Sequence, residues 1–580
     1  MAGMTIEIEL KFRISAGRLD AVRRAVATRT ARTLPMAAIY LDSADQGLAQ
    51  ARVALRLRRE GAVWVQTLKA EGANDLQRLE HNVALGDAAE TPAWDIARHQ
   101  GSEAGARLCR VLADAPATTL GERYATDIVR TRRVLRSGGA RIELALDEGW
   151  IRAGKRRLAV CELEFELLSG PPQALLDLAA RWVDRFELVL DMRSKSERGH
   201  LLAAGRWASP AARAEPAPLH KRDSPAQAFA AVLGAALRPL LRQASLLADA
   251  DLVAQAAGAP EHLHQWRVSL RRLRTVLAVF GADNAASALA PALAALFKHS
   301  AEQRDQDVLA ARLWPALRAA GAPWLAWPPL DQGLAAVPLD GGLAACAEPG
   351  AAPSAEPGVA PGAAPFAGPG AALGAALGTQ PGTQPGAEPG AEPGAALCAL
   401  LATPAVQRLW LALLGAAQPP AAAGQPADAN DQPQQAPARP QAADGAAPGV
   451  ALKPLWRLPL DRLLRQVRRE AARFDQLGEA QRHRLRRRIK GLRYALESTA
   501  ALWPAPALAR MRQPLRQAQD LLGELNDCVV ALARYREWAE LEPRAWFAVG
   551  WLSAHSQALL PPCTAAMARL AKQPASWRRR

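Results

Sequence analysis

The sequence predicts two units of different class: an N-terminal α+β unit built on an antiparallel sheet closed into a barrel, and a C-terminal all-α helical-bundle unit. Three observations carry this. Strand-length segments with charged residues at alternate positions recur through about residue 200. From Ser224 onward that alternation stops and apolar residues recur at helical spacing. Within this second region one basic helical pattern occurs twice.

The chain has 580 residues, a formal net charge of +16 and a pI near 10.2. That length allows several domains. The basic excess favours polyanionic partners (nucleic acid, phosphate polymers or an anionic membrane surface) without choosing among them. No unbroken apolar run reaches membrane-spanning length. The N-terminus runs straight into a charged strand, so no secretory signal is expected. Cys109, Cys161, Cys346, Cys398, Cys528 and Cys563 are scattered, with no Cys-x-x-Cys pair. This argues against disulfides and a Cys-based zinc site, and makes a cytoplasmic location the expectation.

The first unit spans 4–203, with strands expected at 5–12, 37–42, 53–59, 62–70, 77–85, 126–135, 140–146, 150–153 and 159–168. Helices are expected at 15–30, 92–100, 103–113 and 171–186. Residues 204–223, rich in Ala, Pro and Arg, read as a linker. The helical unit spans 224–572, with helices at 225–247, 261–280, 285–303, 305–320, 399–415, 457–476, 480–502, 507–536 and 543–560. Two low-complexity stretches, 328–396 and 417–450, interrupt it. The first holds near-copies of Ala-Glu-Pro-Gly at 347–350, 355–358, 387–390 and 391–394. Neither stretch holds enough apolar residues to offset its ordering entropy, so both are expected to be disordered.

On a strand successive side chains face opposite ways. In Ile6-Glu7-Ile8-Glu9-Leu10-Lys11 the charges therefore share one face. The same holds for Arg56 and Arg58, for Thr67 and Lys69, for Arg78, Glu80 and Asn82, for Arg130 and Arg132, for Arg141, Glu143 and Asp147, and for Glu162, Glu164 and Glu166. Lys195 and Arg198 follow in Ser-Lys-Ser-Glu-Arg-Gly. A sheet with one solvated face would show such charges on any single strand. The set shows more: both signs dominate, and the carboxylates segregate into the first strand and the 143–166 region. A barrel with a charged, hydrated lumen and helices over its apolar outside accounts for both features. Clustered Glu oxygens suit Mg²⁺ or Mn²⁺. Arg and Lys suit phosphate oxygens. Together they suit phosphoryl transfer to water.

Residues 4–203 resemble the CYTH domain of the triphosphate tunnel metalloenzymes. The motifs that carry this are Glu-x-Glu-x-Lys at Glu7–Lys11, Leu-Arg-Leu-Arg, Gln-Thr-Leu-Lys, Gln-Arg-x-Glu, Ile-Glu-Leu-Ala-Leu-Asp, Cys-Glu-Leu-Glu-Phe-Glu-Leu and Ser-Lys-Ser-Glu-Arg-Gly, in that order. The resemblance implies an eight-stranded tunnel and hydrolysis or cyclisation at a triphosphate with a divalent metal. Carried over, Glu7, Glu9, Glu143, Asp147, Glu162 and Glu164 would serve Mg²⁺ or Mn²⁺. Arg56, Arg58, Lys69, Arg78, Arg130, Arg132, Lys195 and Arg198 would hold phosphates, and Lys11, Glu7 and Glu9 would act in catalysis.

In the helical unit His264, Arg267, Arg271 and Arg274 fall at i, i+3, i+7 and i+10, and His483, Arg486, Lys490 and Arg493 repeat the pattern. At 3.6 residues per turn each set covers about 80° of arc. Each is followed by an acidic motif, with 41 residues from His264 to Asp305 and 44 from His483 to Asp527. Neither stripe carries interleaved acids, so the pair reads as two copies of one polyanion-facing unit. This region resembles the CHAD domain, the conserved histidine α-helical domain. That implies two joined four-helix bundles and binding of inorganic polyphosphate.

The expected function is metal-dependent hydrolysis of inorganic triphosphate to pyrophosphate and phosphate, with a polyphosphate-binding helical unit that places the chain at polyphosphate granules. The alternatives are a non-catalytic polyphosphate binder, or a tunnel enzyme acting on an organic triphosphate by thiamine triphosphate hydrolysis or ATP cyclisation. Nucleic-acid partners are not expected, because neither a groove-entering motif nor an aromatic stacking platform is present, and a membrane partner is not expected, because no apolar run reaches spanning length.

Overall fold

The computed structural model describes residues 5–72, 77–113, 120–220, 222–255, 259–281, 284–300, 308, 312–323, 393–419, 452–575 and 577. The acidic motif after the first basic stripe (Arg304–Asp307 and Leu309), Cys346 and most of both low-complexity stretches lie outside these residues.

The N-terminal strands are β1 (Thr5–Arg13), β2 (Arg32–Asp42), β3 (Val53–Glu60), β4 (Val63–Glu71), β5 (Gln77–Asp87), β6 (Gly121–Ser137), β7 (Ala140–Ala153) and β8 (Arg156–Ser169). They pair antiparallel in the order β5-β4-β3-β2-β6-β7-β8-β1, and β1 returns to β5 with Glu7 opposite Arg78. The sheet is thus an eight-stranded closed barrel. A short β9 (Val189–Leu190) adds to β1.

Period-two alternation sorts the side chains. Leu10, Phe12, Leu144, Leu146, Leu163 and Phe165 point outward and are buried. They lie under α1 (Leu19–Val26) and α4 (Pro172–Phe186), in the core formed with Val22, Leu175 and Val183. On the opposite flank Leu41, Leu55, Leu68 and Leu79 are covered by Ala104 and Leu108 of α3 (Glu103–Ala113), beyond the one-turn α2 (Gly47–Gln50). The charged residues are left facing inward.

Several boundaries differ from the sequence expectation. The two strands expected at 140–146 and 150–153 are one, β7. Gly149 breaks the alternation only because β6 passes so close that a Cβ there would lie 2.0 Å from the Asp127 carbonyl oxygen. The helix expected at 92–100 is a single 3₁₀ turn, Ile96–His99, capped by Asp95. Residues 195–203 form a helix, α5 (Lys195–Ala203), that was not expected. Its start is marked by Ser194, whose Oγ accepts from Glu197 N at 3.0 Å.

The helical region begins with α6 (Pro225–Leu247), α7 (Ala250–Gln255), α8 (Ala259–Phe280), α9 (Ala290–His299) and α10 (Trp314–Ala319). The helix expected at 399–415 is two, α11 (Pro393–Ala402) and α12 (Pro404–Ala416). They are bent by 60° at the proline that cannot continue the first. Then come α13 (Leu452–Ala471), α14 (Glu479–Ser498), α15 (Ala505–Ala539) and α16 (Trp546–Ala571). The last four pack in a ring, α13 on α14 on α15 on α16 and back to α13. Beside them α6, α8, α9 and α12 pack together, joined to the ring through α8 and α14. No single helix among the described residues is long and apolar enough to cross a membrane.

One continuous apolar core runs from the barrel's outer face (Leu163, Phe165, Leu175) into the helical region (Leu233, Leu237, Leu409, Trp410). Trp410 is 1% exposed in this core, between the two units. Trp410→Ala is expected to destabilise the chain by about 3–5 kcal/mol. The midpoint of denaturant unfolding, at unchanged slope, checks this.

Candidate functional sites in the barrel lumen and on the helical face

The closed sheet brings Glu7, Glu9 and Lys11 of β1, Arg56 and Arg58 of β3, Lys69 of β4, Glu80 of β5, Arg130 and Arg132 of β6, Glu143 and Asp147 of β7, and Glu162, Glu164 and Glu166 of β8 to one interior. α5 packs against β6, β7 and β8 and delivers Lys195 and Arg198 to it.

The tightest group is acidic. Ligand oxygens of Asp147, Glu162 and Glu164, all buried, lie within 4.8 Å of one another. Register explains this: Asp147 is opposite Glu162 across β7 and β8, and Glu164 is the next inward position. Cations surround the triad. Lys195 Nζ lies 2.6 Å from Asp147 Oδ2 and 2.9 Å from Glu164 Oε1, and it also pairs with Glu162. Arg130 donates to both Asp147 oxygens (2.7 and 2.6 Å) and to Glu164 Oε2 at 2.5 Å, and Arg198 pairs with Glu162. Burial pushes the Glu164 carboxyl up, but Lys195 and Arg130 outweigh it and hold it well below the usual range. Glu164 is therefore ionised, and the three residues together offer hard oxygen donors of the kind that suits a divalent cation.

The other three expected metal ligands stand apart from that triad. Lys69 Nζ bridges Glu7 Oε2 at 2.7 Å and Glu80 Oε2 at 2.8 Å. Burial, then Glu9, raises the Glu7 carboxyl to about 8, so at neutral pH it carries its proton. Glu9 pairs with Lys11, and although burial pushes its carboxyl up, Lys11 and Lys69 keep it below the usual value. Glu143 meets Arg132 at 3.3 Å, where the Arg132 side chain is 43% exposed, at the rim.

On β3 the two arginines have different surroundings. Arg56 donates to Tyr40 OH at 3.0 Å, and Arg58 pairs with Glu60. Burial and then neighbouring Arg56 lower the Arg58 guanidinium to about 10 against the pull of Glu60 and Glu80, whereas at Arg56 burial is outweighed by Tyr40, Glu80 and Glu7, which raise its guanidinium. Arg78 donates to the Gln77 carbonyl oxygen at 3.0 Å. Three lumen groups were not among the expected site residues. Tyr40 is itself uncharged and sits in the uncharged run from Thr33 to Leu41, so charge alternation gave no signal. Glu80 and Glu166 share faces with expected residues and were legible from them. Burial lifts the Glu166 carboxyl to about 7, and Glu143 and Glu9 add to this against Lys69.

In the helical region α8 and α14 pack against each other and bring the two basic stripes together. Lys490 is 9% exposed. Burial, then the charges of Arg271 and Arg486, lower its ammonium to about 6, with Asp527 acting in the opposite direction. Arg493 donates to Gln519 Oε1 at 2.8 Å and Glu497 Oε1 at 2.9 Å. His483 Nδ1 and Asn526 Oδ1 are 2.7 Å apart, and Arg486 lies 3.9 Å from Asp527. Arg271 and Arg274 lie over the Phe297 ring, and Arg274 feels repulsion from Arg487. Arg267 is used for packing: it stacks on Phe297 at 4.1 Å and donates to the Phe297 carbonyl oxygen (3.1 Å) and Ser300 Oγ (2.6 Å). His264 is half-buried on the same stripe.

Fold and site together define a charged-lumen barrel with an acidic metal-type triad, joined to a basic helical module. The chain belongs to the CHAD family, whose domain matches residues 244–536, and residues 5–199 match the CYTH domain. The inorganic triphosphatase of Haemophilus influenzae is 31% identical over 171 residues, 29% of this chain and 46% of that protein, so the match spans about half of that relative. Among solved structures, the CHAD domain from Ricinus communis is 22% identical over 63% of this chain and 99% of that one, with a TM-score of 0.41. A Hippeastrum protein, described both as an adenylyl cyclase candidate and as having a dominant triphosphatase activity, is 18% identical over 35% of this chain and 98% of its own, with a TM-score of 0.26.

Proposed function

We propose that the barrel hydrolyses inorganic triphosphate and that the helical region binds inorganic polyphosphate. The observation that carries the first half is the juxtaposition inside one closed barrel of a buried carboxylate triad and a wall of basic side chains. Asp147, Glu162 and Glu164 would hold a divalent cation, which would supply neutralisation of charge on the phosphate oxygens. Arg56, Arg58, Lys69 and Arg130 bind and align the phosphate chain. Arg78, Arg132 and Lys195 extend this grip along the lumen. Water attacks the terminal phosphorus, the bridging P–O bond breaks, and phosphate and pyrophosphate leave. Glu9, ionised at neutral pH, accepts a hydrogen bond from the attacking water, and Lys11 beside it orients that water. The protein's contribution is alignment and electrostatics rather than a covalent nucleophile.

The test is phosphate release by the purified chain from tripolyphosphate, ATP and thiamine triphosphate, with Mg²⁺, Mn²⁺ or a chelator. Tripolyphosphate turnover that needs the metal supports the proposal. Silence towards every triphosphate, together with tight polyphosphate binding, would leave a binding protein only.

The helical half yields a pH prediction. The Lys490 ammonium titrates near 6 in the folded chain, against 10.5 as its ordinary value. Between these values the unfolded chain binds more protons, so this residue's destabilising effect grows as pH falls from 10.5 to 6. Lys490→Met is expected to raise the melting temperature at pH 7, with the gain shrinking as pH approaches 10. A bound polyanion favours the ammonium form, so polyphosphate affinity should fall as pH rises from 6 to 8, and the slope should flatten in Lys490→Met. Calorimetric titrations across that range, in buffers of differing ionisation enthalpy, measure both the affinity and the proton taken up.

A further inference from the structure

The segment that carries Lys195 and Arg198 to the acidic triad is held from two sides. On the barrel side Gly199 of α5 lies so close to Tyr124 that a Cβ would meet the ring at 2.2 Å, and Tyr124 OH bonds Ser196 Oγ at 3.0 Å. On the other side the partners come from the helical region. Arg242 of α6 donates to Glu197 Oε1 at 2.5 Å, an oxygen that also accepts from Ser209 Oγ at 2.9 Å. Met192 N donates to Ser245 Oγ of α6 at 3.0 Å, and Leu190 N to Gln407 Oε1 of α12 at 2.8 Å. Asp249 lies 2.7 Å from Arg13 of β1 and 3.4 Å from Arg193. Glu197 sits at the third position of α5, on the turn that bears Lys195 and Arg198.

We propose that Arg242 is a positioning residue: by holding Glu197 it seats α5 so that Lys195 and Arg198 stay on the Asp147–Glu162–Glu164 triad, making the helical region a controlling part of the barrel's cation site. The Lys195 ammonium is then an internal cation competing with a divalent ion for the triad, and also a group aligned for phosphate. Loosening α5 has opposite effects on these two roles. The triad, less neutralised, binds a bare divalent ion more tightly. A phosphate chain, deprived of two aligned cations, is turned over less well. A merely structural defect weakens both. The catalytic arm rests on the function proposed above, whereas the metal arm does not.

The experiment uses the full chain. Mn²⁺ affinity is measured by electron paramagnetic resonance without substrate, and kcat and KM with tripolyphosphate, for the parent, Arg242→Ala and Arg242→Lys. Glu164→Gln identifies the triad's share of bound Mn²⁺. Arg242→Ala is expected to bind triad Mn²⁺ about two- to fivefold more tightly and to lose about two- to fivefold in kcat/KM, the range of one partly exposed ion pair. Arg242→Lys should restore both. Ser245→Ala, which removes an independent anchor of the same segment, should shift both in the same directions and serves if Arg242→Ala fails to fold. Unchanged Mn²⁺ affinity in folded Arg242→Ala and Ser245→Ala overturns the proposal. A tighter Mn²⁺ site in a chain that hydrolyses no triphosphate upholds it while removing the proposed activity.

Discussion

Glu164→Gln is expected to lower metal-dependent triphosphate hydrolysis by about 10²–10³-fold, the scale of removing one preorganised electrostatic group from a reacting centre. Glu164 belongs to the triad and, like Asp147, meets both Lys195 and Arg130. Its replacement keeps the shape and a hydrogen-bonding oxygen but removes the Glu164 anionic charge. The fold should survive. Arg130 keeps its two bonds to Asp147, and Lys195 keeps Asp147 and Glu162. The charge imbalance left behind falls short of the roughly 3–5 kcal/mol seen when a buried pair is broken outright. Parallel activity and thermal melts separate the outcomes: a folded variant with parental turnover contradicts the assignment of the triad.

The second large effect lies in the helical region. Arg271→Glu combined with Lys490→Glu is expected to weaken polyphosphate binding by at least about 10³-fold. Each site loses a charge-assisted contact of about 1.5–3 kcal/mol and gains a repulsive carboxylate. The two side chains come from opposite stripes, on α8 and α14, so the double variant removes the cationic junction between them. Hydrolysis of short triphosphate in the barrel should change far less. The parent should show a steep fall of affinity with salt, and the variant a shallower one. Equal binding by parent and variant would place the polyanion elsewhere.

Much of this was legible because a barrel strand with a wet interior has a rigid period of two. Glu7, Glu9 and Lys11, or Glu162 and Glu164, cannot change faces without moving Leu10 or Leu163 out of the apolar core. What the pattern could not show was distance. Glu7 and Glu162 carry the same alternating signature. Yet the pairing register puts Glu162 with Asp147 and Glu164, and leaves Glu7 on Lys69 with Glu80. Likewise, helical spacing placed Arg267 with Arg271, but only tertiary packing shows Arg267 bonded to the Phe297 carbonyl and Ser300. α5 was missed because its start lies in a short capping signal, Ser194 with Glu197, on a helix of only nine residues. Tyr40 was missed because it is uncharged and lies in the uncharged run from Thr33 to Leu41.

The most direct measurement is anomalous diffraction from crystals of the full chain grown with Mn²⁺ and a non-hydrolysable triphosphate. An anomalous peak between Asp147, Glu162 and Glu164, with phosphate density against Arg56, Lys69 and Arg130 in the same lumen, is the predicted result. Manganese and phosphates bound outside the barrel, with Lys195 still seated on the three carboxylates, would contradict it.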